Sequence, residues 1–279
     1  MSIPMLHRKH SSGLRSLATS AREDLLGGLL RRELWGRLGF REVRRRYLRT
    51  KIGPFWSTLT FLVYILAISL VGAGLWGTDL KTYLPFLVSG MVVWGFISQA
   101  MNESCLIFTQ GALLFSNARM DYSVLAYSQV WKQFILFLHN MAVWLLVVLY
   151  NPAILEWATL LAIPGMVLVL ANVVWITLLI GLVCLRFRDV QQLVLSATTI
   201  GMLVTPLFWP PDRLPPGLTR LFFVQLNPIY RLIDIVRTPL MGGVPTAASY
   251  AAVIGITVCG WTLTYFMFRK FRGRISYWS

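Results

Sequence analysis

"PLFWPPDRLPPGL", Pro206–Leu218, carries five prolines and separates two strongly apolar stretches. Proline lacks an N–H and breaks an interior helical hydrogen bond, so no helix runs through this segment. What it does depends on the medium around it. The chain has 279 residues, is 56% hydrophobic and only 13% charged, against about a quarter charged in soluble domains. The segment is therefore a break between membrane spans.

A span needs roughly 17–25 mostly apolar residues. The stretches that qualify are Phe55–Trp76, Leu84–Met101, Val124–Tyr150, Trp157–Leu185, Val190–Trp209 and Ser249–Phe268. The expected fold is thus all-α and integral to the membrane, with six transmembrane helices. Pro164-Gly165 inside the fourth predicts a kink. Residues 1–20 read as a disordered cytoplasmic tail, 21–52 as an amphipathic interfacial region and 53–279 as the transmembrane domain. The tail is basic, Ser-rich and acid-free, a composition that a mitochondrial transit peptide shares.

Cations sort by side. Of 26 Lys plus Arg, thirteen precede Gly53. Arg119, Arg186, Arg188 and the four after Phe268 fall on the same side of the predicted spans, which the positive-inside rule assigns to the cytoplasm. Both termini are then cytoplasmic and Pro210–Met241 faces outward. The long apolar runs exclude the nucleic-acid binder that net charge +15 would otherwise suggest. Cys105, Cys184 and Cys259 are far apart with no C-x-x-C pair, and read as buried small hydrophobes rather than disulfide or metal ligands. No catalytic or metal-binding constellation is visible.

Ser20-Ala-Arg-Glu23 has capping-box spacing. Leu25, Leu26, Leu29, Leu30, Leu34 and Leu38 follow at helical period, and Glu33 can pair with Arg37. The sequence then turns basic, "REVRRRYLRTKIGPFW", as an interfacial helix ahead of a span should. Arg44, Arg45, Arg46, Arg49 and Lys51 either bind anionic lipid and fix topology or hold the diphosphate of a lipid-linked substrate.

In the third span Gln129, Gln133 and Asn140 fall within an arc of about 40° on a helical wheel, with Lys132 and His139 at its edge. Such a face should avoid lipid; it either glues helices together or lines a passage. Glu103 could pair with Lys132. Phe61, Tyr64, Trp94 and Phe96 either pack in the interior or line a path for sugar rings. Beyond the prolines, Asn227-Pro228 is a helix start. Ile229, Leu232, Ile233 and Val236 form its apolar stripe, with Arg231, Asp234 and Arg237 elsewhere on the helix. With a shorter helix over 218–225 it makes a re-entrant hairpin of about 210–241, too short to span.

These stretches together resemble the membrane (permease) subunit of ABC transporters that export polysaccharide: O-antigen, capsule, teichoic acid or galactan. The resemblance rests on "RRRYLRTKIGPFW", "YLPFLVSGMVVWGFI", "LHN", "LRFRDVQQLV", "PLFWPPDRLP" and "LNPIYRLIDIVRTPLMG", in that order, from about Gly36 to the end of the chain. It implies a homodimer in the bacterial inner membrane, two separate ATPase subunits on the cytoplasmic face and a polyprenyl-linked glycan as cargo, with membrane lipids as further partners. ATP and Mg would be bound by the partner, none by this chain, which has no G-x-x-x-x-G-K-[ST] loop. The resemblance places an ATPase-coupling helix at about Ile107–Asn117, with Phe108, Gln110, Leu113, Leu114 and Phe115, although the family's following proline is missing after Arg119. It makes Arg186, Arg188 and Asp189 a cytoplasmic turn. It makes the hairpin an external gate with Trp209, Phe222, Asn227, Tyr230, Arg231, Asp234 and Arg237. An exporter of small amphiphiles or lipids on the same fold is the alternative. A membrane enzyme would need paired intramembrane acids or a metal cluster, which the sequence does not offer, and a proton-driven carrier would need more than its sparse intramembrane ionisable groups.

Overall fold

The computed structural model describes residues 21–48, 53, 55–111 and 120–278. The expected 1–20 tail, Arg49, Lys51, Leu113, Leu114 and Phe115 lie outside them. Among the described residues there is no strand. Helices α1 (Ala21–Leu30) and α2 (Arg32–Tyr47) are followed by α3 (Phe55–Trp76), α4 (Leu80–Ser104) and α5 (Ser123–Tyr150). Then come α6 (Ala162–Arg186), α7 (Val190–Val204), α8 (Pro228–Leu240) and α9 (Ala247–Phe271).

Among the described residues five helical stretches are long and apolar enough to cross a membrane; α7 is not. The expected fifth span ends at Val204 rather than Trp209. The cause is Pro206, which drives Thr205 out of the helical region to φ −80°, ψ 137°. Its 15 residues reach only ~22 Å. Pro164, where a kink is expected, stands at the third position of α6. A 3-10 turn, Trp157–Leu161, runs into α6, so Pro164 sits in the first α-turn, where its missing N–H costs nothing. Pro85, inside α4, does remove a bond. The Lys81 carbonyl it frees accepts from Asn151 Nδ2 at 3.2 Å.

Helix α4 is the axis of the bundle. Of its apolar window 72% is buried, against 17% for α3. It packs on α3, α5, α6, α7 and α8, and its Leu87, Val88, Val93 and Ile97 are fully enclosed. Helices α3 and α7 are peripheral and turn Leu59, Val63, Leu70, Leu193 and Leu203 outward.

The N-terminal region differs from the single leucine-faced helix the sequence suggested. It breaks at Arg31, and in α1 the buried face is Ala21, Asp24, Leu25 and Gly28, whereas Leu26, Leu29 and Leu30 are exposed. Helix α2 lies along α5. A Cβ on Gly39 would stand 2.6 Å from the Ser128 carbonyl oxygen, so only glycine lets the two backbones approach this closely.

Candidate functional site

Two polar clusters occupy the end of the bundle that holds α1, α2 and the C-terminus. The first joins α2, α4 and α5. The Lys132 ammonium lies 3.0 Å from Glu42 Oε2 and 2.5 Å from Glu103 Oε2. Gln129 Nε2 donates to Glu103 at 2.9 Å, and Arg46 approaches the other Glu103 oxygen at 3.6 Å. Helix α5 presents Gln129 and Lys132 to this cluster because they are three residues apart on one face. Beside it is a cleft of about 390 Å³, lined by Arg41, Arg45, Gln110, Gly111 and Ser128 together with Glu42, Glu103, Gln129 and Lys132.

The second cluster ties α1 to the bundle. Asp24 is fully buried. Its carboxylate accepts from Tyr122 N at 3.2 Å and Ser123 N at 3.0 Å, at the start of α5, and from Arg272 Nε at 2.6 Å. Asp121 pairs with Arg31 at 3.4 Å. Burial, and then the nearby Asp24 carboxylate, push the Asp121 carboxyl above its usual range.

A third polar group stands at the opposite end, around α8. Asn227 Oδ1 accepts from Ile229 N and Tyr230 N, and its Nδ2 donates to Thr205, closing the loop onto α7. Arg231 and Asp234 both hold Ser249 at the start of α9. Trp76 Nε1 and Tyr83 Oη both donate to the Phe208 carbonyl, which pins the proline segment beside α3 and α4. Trp209 donates to Leu203, and Phe222 is exposed.

Arg237 departs from the expectation that it lies off the buried face. It is enclosed between α8 and α4, donates from Nη1 to the Pro206 carbonyl at 2.7 Å and stacks 4.4 Å from the centre of the Phe86 ring. Its position i+4 from Ile233 puts it on the face toward α4, and Gly90, with no side chain, leaves the room it fills. Tyr230 is half-buried. The hairpin's first arm is irregular: one helical turn, Leu218–Arg220, and a π-type turn, Leu221–Gln225.

Gln129, Gln133 and Asn140 are all buried against the bundle, with His139 half-buried at their edge. His139 stands edge-on to Phe55 with its Nδ1 at 2.8 Å from the Ile135 carbonyl. Trp94 and Phe96 are buried in the core of the chain. Phe96 packs on Phe134 and Phe137. Phe61 packs against that core and Tyr64 is exposed. Phe108 is also enclosed, beside Gly181 of α6, so its ring is not free to dock on another chain. Gln110 is exposed. Arg44 lines a shallow apolar recess with Phe40 and His139, apart from the cleft. Arg186 stacks on Phe187 and Trp278, and Arg188 and Asp189 are exposed at the turn into α7.

Glu42, Arg41 and Asp24 were not among the sequence candidates. Asp24 had a legible signal, an acid at i+3 from Ala21 and i−4 from Gly28 on one helix face. Glu42 had none, because its partner lies 90 residues away.

The sequence model of the ABC-2 type transporter family matches residues 33–241, from α2 through α8. This chain belongs to that family. It is a membrane domain of the ABC-2 type, and both the α2–α4–α5 cluster and the buried α8 lie within the matched region. The chain is also similar to a protein of Myxococcus xanthus described as "O-antigen export system permease protein RfbA". The two are 24% identical over 200 residues, which are 69% of this chain and 74% of that protein.

Proposed function

We propose that this ABC-2 membrane domain is the permease subunit of an exporter that moves a polyprenyl-linked polysaccharide out of the cytoplasm. The observation that carries this reading is the similarity, over most of both chains, to a protein described as an O-antigen export permease. The cleft beside α2 supports it. Arg41 and Arg45 project from a short helix preceding the first span, where an interfacial helix meets lipid headgroups, and guanidinium groups suit a diphosphate.

In this reading two copies of the chain form the passage in a bacterial inner membrane, with both termini cytoplasmic. Two ATPase subunits, carrying ATP and Mg, dock on the basic end. The exposed apolar faces of α3 and α7 offer surface for lipid or for the second copy. The half-helix α8 and the proline segment sit at the outer mouth.

The test is purification from native membranes in mild detergent with identification of everything retained. The expected result is two copies of this chain, two phosphate-loop ATPases and a polyprenyl diphosphate glycan. An ATPase stimulated by small amphiphiles and indifferent to glycan lipid would refute it.

A further inference from the structure

The α2–α4–α5 cleft has a feature that lipid anchoring does not need. One wall carries Arg41 and Arg45 of α2; the other carries Leu106, Ile107, Gln110 and Gly111, the chain that leaves α4. Between the walls lies Glu103, in the last turn of α4, held by Lys132, Gln129 and Arg46. Among the described residues Arg41 and Arg45 have no ion-pair partner, whereas Glu42 and Glu103 are both engaged. Arg41, Arg45 and Lys132 thus outnumber Glu42 and Glu103 in the cleft lining, with Arg46 next to it on Glu103, leaving an excess that suits an anion. The volume, about 390 Å³, falls in the range of ligand sites, roughly 300–1,000 Å³.

We propose that this cleft is a diphosphate sensor as well as a binding site. A diphosphate entering between Arg41 and Arg45 competes with Glu103 for Arg46, the weakest and most exposed of its contacts at 3.6 Å. Losing that contact removes the direct ion pair between the last turn of α4 and α2, leaving the bridge through Lys132 to Glu42, and shifts residues 107–111, which begin three residues after Ser104 and border the same cleft. Arrival of the headgroup is thereby transmitted to the segment that leads away from the membrane core. The inference rests on the export reading, in which that segment meets the ATPase. It adds that Glu103 is a positioning residue acting through Arg46 and Lys132.

The experiment measures ATP hydrolysis by the intact complex in lipid nanodiscs, with and without undecaprenyl diphosphate, together with retention of that lipid by native mass spectrometry. The expected wild-type stimulation is at least about fivefold, the lower end of ordinary allosteric coupling. Glu103→Gln should keep the lipid bound while the ratio of stimulated to unstimulated rate falls to near one. Arg46→Gln, at a half-exposed side chain, should likewise bring the ratio to near one while weakening retention less than loss of Arg41 and Arg45, and decides the matter if Glu103→Gln fails to assemble. Arg41→Gln with Arg45→Gln should lose retention and stimulation together, and Arg37→Gln, on the exposed face of α2, should lose neither. Soluble pyrophosphate giving equal stimulation would show that the anion suffices, and stimulation by the lipid alone that the headgroup must be presented from the membrane; both support the sensor. Stimulation by phosphatidylglycerol as strong as by the diphosphate lipid would overturn it. Retention and stimulation unaffected by Glu103→Gln and Arg46→Gln would overturn the sensor and leave the export reading standing. No retention of the diphosphate lipid by the wild type would overturn both.

Discussion

Replacing Asp24 by alanine should loosen α1 from the bundle. The carboxylate is fully buried and serves three donors: two backbone amides at the start of α5 and the Arg272 guanidinium at the end of α9. Removing one partner of a buried ion pair costs about 3–5 kcal/mol, because the remaining charge stays desolvated. The amides at Tyr122 and Ser123 lose their acceptor as well. Not all of α1's attachment is lost, since Tyr127 still donates to the Leu25 carbonyl and Ser123 Oγ to that of Asp24. If the cost falls on local opening of α1, the open population rises by roughly two to four orders of magnitude. Hydrogen exchange of the α1 amides in nanodiscs reads this directly. Asp24→Asn, which keeps an acceptor but loses the charge, should fall between. A double-mutant cycle with Arg272→Gln should return a coupling of at least about 1 kcal/mol. Wild-type exchange in α1 of a folded Asp24→Ala protein would refute the reasoning, and so would a coupling near zero.

Gly90→Ala should destabilise by about 1–3 kcal/mol, as overpacking does, because the new Cβ would stand 2.6 Å from Arg237 Cζ. Thermal unfolding of Gly90→Ala combined with Arg237→Ala should then show less than the sum of the single effects. Gly39→Ala should lift α2 off α5, since its obstacle is a backbone oxygen at 2.6 Å that cannot swing away; faster exchange over residues 32–47 with α6 unchanged is the expected reading. Lys132→Met should cost about 1–3 kcal/mol, because Glu103 loses its shortest contact but keeps Gln129 and Arg46. Adding Glu103→Gln should recover part of that, as measured by the apparent melting temperature in detergent.

Apolar run length and turn chemistry made much of this protein legible. The length of the other spans, the proline break after α7 and the Asn227 cap of α8 are local properties, whereas the apolar run past Pro206 overstated the length of α7. Each is set by a few neighbouring residues and the solvent around them, so composition and period reveal them. The polar face of α5 was legible for the same reason, as three residues at helical spacing that lipid would not tolerate. The leucines of α1 misled because periodicity marks an apolar face without saying whether it meets protein or lipid, and in a membrane both are apolar.

What the sequence alone determined, then, is an all-helical membrane chain with a basic front, its spans and its breaks. What only the tertiary structure decided is which charges meet. Asp24 and Arg272 are 248 residues apart, and Glu42 and Lys132 are 90 apart. Arg237, one more cation in the sequence, becomes an enclosed clamp on α4 because a glycine, a phenylalanine ring and the Pro206 carbonyl converge on it from two other elements. A local pattern can announce that a polar group must find a partner, since the membrane interior makes solitude costly. The choice of partner depends on how helices pack across the whole chain.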